Sequence, residues 1–230
     1  MMNPRVYPQP QIEQIKYTGV YPSDFLLEQV LDAGFNWFRT DPDAPNQVFQ
    51  NLLRGELEKR YGQEKIDEIA TFVRGTQIRV LQSFPVEDQQ APTISINMNN
   101  SGEAQELGGL DKFAERIMDF DSLGNVVGGQ ELGYHPITDS LLVGIHSVGT
   151  ADKVKYLYYI VIYILMSLRS QLEETGMFNM TFQATDLSRL NEFLPANMFS
   201  RFVTVNFTSM AMFNKADAPI VTGFTLNVHT

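Results

Sequence analysis

The chain of 230 residues contains no cysteine, which excludes disulfide bonds, thiolate metal sites and cysteine nucleophiles within it. Positive charge is also scarce, since 17 Lys and Arg stand against 27 Asp and Glu, for a formal net charge of -10 at pH 7. Binding to nucleic acid or to an anionic membrane usually depends on clustered Lys and Arg. The composition therefore disfavours both, although an acidic surface suits a channel through which DNA passes without sticking. Acidity that only maintains solubility is the simpler interpretation.

Two kinds of apolar segment are missing as well. Residues 1–10 lack the apolar core of a secretion signal, so we expect a cytoplasmic origin. The uninterrupted apolar stretch from Tyr156 to Met166 is shorter than the roughly 18 residues that span a bilayer. No membrane association is predicted.

Catalytic motifs are sparse. The sequence has no glycine-rich phosphate loop, nucleophile elbow or H-x-x-x-H pair. Asp119, Asp121 and His135 are residue types that hold a divalent metal, and they define the enzyme alternative, a metal-dependent hydrolase. His146 lies beside an apolar run and is interpreted as a core or interface histidine with a satisfied hydrogen bond, while Ser147 lacks an acid partner for nucleophilic chemistry. Our first prediction is a chain with no catalytic residue, metal or cofactor.

The chain divides into an arm and one domain. Residues 1–22 contain four prolines and no pattern that would bury a face, so they predict an extended amino-terminal arm. Residues 23–230 are enough for a single core. Hydrophobic spacing and turn residues predict three helices at the start of this domain, at 23–38, 43–57 and about 63–73. A polar insert at about 99–136 predicts a long loop and a β-hairpin that protrudes from the core.

Alternating apolar residues then predict strands. The alternation predicts two half-exposed strands at 78–84 and 94–98. It also predicts strands at 178–182, 203–207 and 224–228, the last two forming an antiparallel pair. Helices come first and strands later, with one helix embedded among them. This order predicts an α+β fold, in which a mixed or antiparallel sheet packs against a long central helix and the amino-terminal helices.

The embedded helix is apolar on nearly every side. One side carries apolar residues at helical spacing, namely Val154, Leu157, Val161, Ile164, Leu165, Leu168 and Leu172. The other carries Tyr156, Tyr158, Tyr159, Ile160, Ile162 and Tyr163. A helix of this kind must be buried. Either it lies between the sheet and the amino-terminal helices, or its second side meets another copy of the chain, with interface candidates Tyr156, Tyr159, Ile160 and Tyr163. A small-ligand pocket beside Tyr159 and Tyr163 is a third possibility.

Several segments carry a resemblance to a known family. They are Ile78–Pro85 (IRVLQSFP), Pro92–Asn97 (PTISIN), Leu142–Gly176, Phe182–Asp186 (FQATD) and Arg201–Phe207 (RFVTVNF). In the third of these, a strand leads through a short turn into a helix of about 25 residues that ends at LEETG. From about residue 23 onward, the order of elements resembles that of tail terminator proteins of contractile-tailed bacteriophages.

The resemblance implies a non-enzymatic virion protein. Such a protein forms a hexameric ring at the head-proximal end of the tail, ends polymerisation of the tail tube and joins the tail to the head connector. The implied partners are other copies of the chain, the tube protein, the sheath protein and the connector, while DNA passes through the channel without specific binding. Residues 1–22 would extend over a neighbouring subunit, and the loops at 99–111 and 121–136 would contact tube or sheath. A related head-completion or neck protein is the alternative within this class.

Overall fold

The computed structural model describes residues 22–85, 92–103, 115–120, 122, 126–148, 150–185 and 198–214. Four helices open the described part, namely α1 (Ser23–Thr40), α2 (Ala44–Leu53), α3 (Glu56–Tyr61) and α4 (Gln63–Gly75). The elements that follow are β1 (Arg79–Leu81), β2 (Thr93–Glu103), β3 (Glu115–Phe120), β4 (Val126–Val148), α5 (Ala151–Ser167), α6 (Arg169–Glu174), β5 (Phe178–Thr185) and β6 (Met198–Asn214). The predicted arm at 1–22, apart from residue 22, and the predicted strand at 224–228 lie outside the described residues.

The strands form one mixed sheet in the order β1-β2-β4-β6-β5, with β3 paired to β4 outside this path. β1 runs parallel to β2, and the other neighbours are antiparallel. With 23 residues, β4 is the central strand, and it pairs with β2, β3 and β6. Helices and a mixed sheet together confirm the predicted α+β class.

A β-hairpin extends past the body of the sheet, as predicted for the polar insert. β3 pairs with β4 from Glu115, opposite Leu132, to Phe120, opposite Val126. β6 pairs with β4 only from Leu132 onward. The first residues of β4 therefore have β3 as their one strand neighbour within the described part of the chain. The described residues of the insert are almost all in strands, namely the end of β2 at 99–103, β3 and the start of β4.

Helices cover one face of the sheet. α1 contacts β1 and β2, and α5 contacts β4 and β6. Side chains alternate between the faces of a strand, and those beneath the helices are fully or nearly fully buried: Ile94, Ile96, Leu141, Val143, Ile145, Val203, Val205 and Phe207. These residues and the inward sides of α1, α2, α4 and α5 belong to one hydrophobic core.

The embedded helix is buried by its own chain on two sides. Leu157, Val161 and Leu165 are buried on the side that contacts the sheet. On the side of the amino-terminal helices, Trp37 of α1 stacks on Tyr163 with ring centroids 6.0 Å apart. This arrangement favours the first of the two explanations left open by the sequence. None of the helices in the described residues has both the length and the apolar content needed to cross a bilayer.

The single helix of about 25 residues expected here is interrupted. α5 has 17 residues, and after Leu168, whose backbone leaves the helical region at φ -98° and ψ 6°, the six residues of α6 follow. The backbone N–H of Leu168 still donates to Ile164 O, and that of Leu172 to Leu168 O, both at 3.0 Å. Leu172, beyond the break, is still buried. Because the hydrophobic spacing continues from α5 into α6, the spacing did not reveal the break at Leu168.

The strand β5 also departs from simple alternation. Phe178, Met180 and Phe182 were expected on one face, but the pairing with β6 shifts register between Phe178 and Thr181, and Asn179 has a positive φ of 54°. Such a bulge adds one residue to the strand, so the side chains before it and those after it do not share the same alternation between the two faces. Met180 is buried, whereas Phe178 is 44% exposed.

The close approach of α1 and α5 is testable at Gly34. A methyl group there would lie 2.5 to 2.7 Å from side-chain atoms of the buried Ile164. We expect Gly34→Ala to lower the free energy of unfolding by about 1 to 3 kcal/mol in urea denaturation, because a packed core resists added volume. At Gly75, a Cβ meets nothing within 4 Å, so Gly75→Ala is the control and should leave stability unchanged or slightly higher. Equal losses in both variants would contradict this account of the packing.

Candidate functional site

A buried polar cluster crosses the sheet on the face away from the helices. His146 of β4 is hydrogen-bonded through Nε2 to Ser95 Oγ of β2 and through Nδ1 to Ser200 Oγ of β6, both at 2.8 Å. We call these three residues the serine–histidine cluster, and all of them are buried. On β4, Val143 and Ile145 face the helices, so alternation turns His146 to the opposite face. The cluster thus joins three neighbouring strands.

Glycine makes room for this cluster. A methyl group at Gly144 would lie 2.5 Å from Ser95 Oγ and closer still to the ring of His146. Thr93 and Ser95 are buried together with Ile94 and Ile96. The start of β2 is therefore buried on both faces, and the prediction of a half-exposed strand there was wrong.

Aromatic rings cover the cluster. Phe202 lies edge-on to His146 with ring centroids 5.6 Å apart, and Phe84 lies edge-on to Phe202 at 6.3 Å. Phe202 is buried as well. Phe84, in the segment that follows β1, thus packs against the ring that contacts His146.

Burial keeps the imidazole of His146 neutral. It lowers the pKa of His146 from 6.5 to about 4, because the charged ring would lose its hydration. A neutral imidazole has one donor and one acceptor nitrogen, and serine hydroxyls rotate to serve either. Both nitrogens are engaged and the side chain is inaccessible, so the prediction of a satisfied core histidine is confirmed. The neighbouring Ser147 donates to Val148 O at 3.4 Å.

Asp139 forms a second buried polar group on β4. Its carboxylate accepts hydrogen bonds from Ser101 Oγ of β2 at 2.6 Å and from Ser209 Oγ of β6 at 3.1 Å. The carboxylate is 1% exposed. Like the serine–histidine cluster, Asp139 connects β2, β4 and β6. Because side chains alternate along β4, Asp139 lies on the face that carries Leu141 and Val143. Neither serine pair has a signal in the sequence, because each serine is distant in sequence from its partner on β4.

The residues of the hydrolase alternative are not brought together where they are described. Asp121 lies outside the described residues, and Asp119 and His135 are described by their backbone alone. Asp119 pairs with Gly128, which precedes His135 by seven residues along β4. At about 3.4 Å per residue, this separates the two positions by roughly 24 Å along an extended strand. Within the described side chains, no group of three or more His, Asp or Glu is placed to hold a metal ion.

The four interface candidates on α5 divide into two kinds. Tyr156, Ile160 and Tyr163 are buried by the chain itself, whereas Tyr159 is half-buried. Phe49 of α2 packs edge-on to Tyr156 with ring centroids 6.3 Å apart. The burial of these three residues therefore needs no second copy. Contact of Tyr159 with another copy stays a prediction.

Trp37 occupies the space beside Tyr163 in which a ligand pocket was considered. Two further apolar residues of α5, which were not among the interface candidates, are partly accessible: Ile162 is half-buried and Met166 is 57% exposed. They occupy a third side of the helix together with Tyr159. The positions of these residues around the helix, away from its two buried sides, could have indicated this third side from the sequence.

Comparison with known proteins finds similarity among solved structures. No protein-family model and no curated protein sequence matches the chain. The chain is similar to the PVC sheath/tube terminator, in its extended state, in a cryo-electron microscopy structure of an extracellular contractile injection system. The TM-score is 0.35 and the sequence identity 16%, over 80% of this chain and 62% of that one. The chain thus spans less than two thirds of the length of this neighbour.

The neutral state of His146 predicts a pH dependence of stability. Its pKa in the folded chain, about 4, is lower than the ordinary 6.5 expected after unfolding. Stability from this residue is therefore complete above pH 6.5 and falls as the pH drops toward 4, by about 1.4 kcal/mol per pH unit. Urea denaturation of the wild type and of His146→Gln between pH 4 and 6.5 gives the slope of the free energy of unfolding against pH for each protein. The difference between the two slopes isolates His146, since the other titrating groups are common to both. Identical slopes would contradict a buried neutral histidine.

The fit of the serine–histidine cluster is testable at Gly144. We expect Gly144→Ala to lower the free energy of unfolding by about 1 to 3 kcal/mol, because the added methyl group displaces Ser95 or His146 and leaves a buried polar atom unsatisfied. In NMR titration, His146 should then move toward an ordinary pKa. Gly102→Ala on the same strand pair, where a Cβ meets nothing within 4 Å, is the matched control. A Gly144→Ala variant as stable as this control would refute the tight fit.

Proposed function

We propose that this chain is a non-enzymatic structural protein of a contractile phage tail that ends the tail tube. The order of elements carries this proposal: amino-terminal helices, a short strand, a protruding hairpin, and a central strand that leads into a core helix. This is the order on which the resemblance to tail terminator proteins depends. Within that order, the short strand pairs with β2, and the central strand pairs with the hairpin strand β3 and with β6.

The chemistry of the core supports a structural role. His146 and Asp139 are the kinds of group that catalysis uses, and both are buried with two serine partners each. A catalytic acid or base must reach a proton of the substrate. In this sheet, the same groups hold neighbouring strands together instead.

The proposed assembly is a ring of six copies at the head-proximal end of the tail. In it, the chain contacts further copies of itself, the tube protein, the sheath protein and the head connector, and DNA passes through the channel. The protruding hairpin of β3 and β4 is our candidate for contact with tube or sheath, because it extends beyond the neighbouring strand β6. The half-exposed apolar side of α5 supports self-association, since contiguous apolar surface commonly marks an interface.

Addition of the purified protein to polymerising tail tubes tests the proposal. We expect substoichiometric amounts to fix tube length, measured by electron microscopy, because one ring at each tube end blocks further addition. An equal amount of heat-unfolded protein is the control. Tubes that keep growing, together with binding to filled capsids, would instead identify a head-completion protein. Tubes that keep growing without either kind of binding would contradict the proposal.

A further inference from the structure

The protruding hairpin lies at the end of a long extension of β4. Val126, the first residue of β4, is thirteen residues away from the buried Asp139. At about 3.4 Å per residue, this places Val126 up to roughly 44 Å from Asp139 along an extended strand. A tilt of about 10° at Asp139 would move that end by roughly 8 Å over this length. The direction of the hairpin is therefore decided near its base.

The two strands beside β4 end at different points along it. On one side, the described pairing with β2 reaches Glu103, opposite Ile137. On the other side, β6 continues as far as Asn214, opposite Leu132. Asp139 thus lies two residues inside the last described pair with β2, at a point where β4 still has a strand on each side.

Asp139 is hydrogen-bonded to both of these strands. Ser101 of β2 donates to its Oδ1 at 2.6 Å, and Ser209 of β6 donates to its Oδ2 at 3.1 Å. In register, Ser209 lies opposite Ile137, so its hydroxyl reaches back along β4 from the side of the hairpin. We call Ser101, Asp139 and Ser209 the aspartate cluster. Each oxygen of the carboxylate is held from a different neighbouring strand.

A β-bulge in β2 turns Ser101 toward Asp139. The register between β2 and β4 shifts at Asn99, which leaves this one residue of β2 without a partner in the ladder. Asn99 Nδ2 donates to Ser140 Oγ of β4 at 3.3 Å. Without the extra residue, the register would differ by one and the side chain of Ser101 would lie on the opposite face of the sheet. Bulges commonly re-aim a side chain in this way, and here the hydrogen bond from β2 to Asp139 depends on it.

We infer that the aspartate cluster fixes the direction in which the hairpin leaves the body of the sheet. Asp139 is the positioning residue, because a bend of β4 toward one flanking strand lengthens its hydrogen bond to the other. The described ladder with β2 stops two residues further on, so few backbone hydrogen bonds on that side resist such a bend. A satisfied buried polar network specifies one arrangement where apolar contacts allow several.

This inference goes beyond the proposed function and does not depend on it. A hairpin with a fixed direction suits contact with a tube or sheath, but the direction itself is a property of the single chain. It can therefore be measured on the isolated protein.

A distance between the hairpin and the body of the sheet tests the inference. The chain has no cysteine, so Gln130→Cys, which pairs with Ile117 in the hairpin, and Gln183→Cys, at an exposed position of β5, place two spin labels at defined sites. In pulsed electron paramagnetic resonance, we expect the doubly labelled protein with an intact aspartate cluster to give one narrow distance distribution.

The aspartate cluster is then replaced by apolar side chains in the same labelled background. The variant carries Ser101→Ala, Asp139→Leu and Ser209→Ala together. It should widen the distance distribution about twofold, because the polar network that specifies one arrangement is gone. Its midpoint in urea denaturation should stay close to that of the parent, since replacing both partners of a hydrogen bond by apolar groups can be nearly neutral. A merely structural role would change the midpoint and leave the width as it was.

The serine–histidine cluster provides the matched control. Ser95→Ala, His146→Leu and Ser200→Ala remove polar contacts among the same three strands. His146 is seven residues further from the hairpin than Asp139, so this variant should keep the narrow distribution. Asp139→Asn should keep it too, because an amide retains an acceptor for one serine and a donor for the other.

Three outcomes would overturn the inference: a broad distribution with the aspartate cluster intact, a narrow one in its apolar variant, or equal broadening in the serine–histidine control. If the apolar variant does not fold, Ser101→Ala alone decides, since this exposed serine can be changed without altering the core. It removes the link to β2 and should also widen the distribution, and an unchanged width would refute the inference. A chain with a fixed hairpin that fails to end tubes would contradict the proposed function and leave this inference intact.

Discussion

Burial of α5 between the sheet and the amino-terminal helices is the interaction on which the whole structure depends. Leu157, Val161 and Leu165 are fully buried in this helix. Each such side chain contributes about 1.5 to 3 kcal/mol when removed from water. The helix α1 comes close enough to α5 that only glycine fits at position 34. The amino-terminal helices are therefore part of the core, since without them the aromatic side of α5 would face solvent.

The opposite face of the sheet is organised by hydrogen bonds. A buried polar group left without a partner costs about 1 to 3 kcal/mol. His146 finds its partners only when β2, β4 and β6 hold their observed register, because Ser95 and Ser200 lie on the two flanking strands. A register slip of one residue would turn His146 toward the helices. The serine–histidine cluster therefore specifies strand register, which apolar side chains of similar shape specify less strictly.

Hydrophobic periodicity and turn residues predicted most of the helices and strands. They did not predict features that depend on contacts between residues distant in sequence or on an unusual local backbone conformation. The bounds of α1 and α4 follow from apolar spacing, and Pro42 marks the end of the first. The predicted second helix divides because Arg54 and Gly55 both adopt left-handed backbone conformations, and a left-handed arginine has no sequence signal. Alternation identified β1 and β2 but not their parallel pairing. The buried character of His146 was predictable, while its serine partners, 51 and 54 residues away, were not.

An apolar pattern in the sequence shows that a helix surface is buried, but it does not show whether the same chain or another copy buries it. The sequence favoured intrachain burial of α5 and burial by other copies equally. Tyr156, Ile160 and Tyr163 are covered within one chain, so their burial does not require a second copy. The self-association that we propose would then add contacts to a core that one copy buries by itself. Contacts of that kind add to a stable monomer, and so their occupancy depends on concentration. The proposed role at a tube end fits this property, because a tube that binds the chain raises the local concentration of copies.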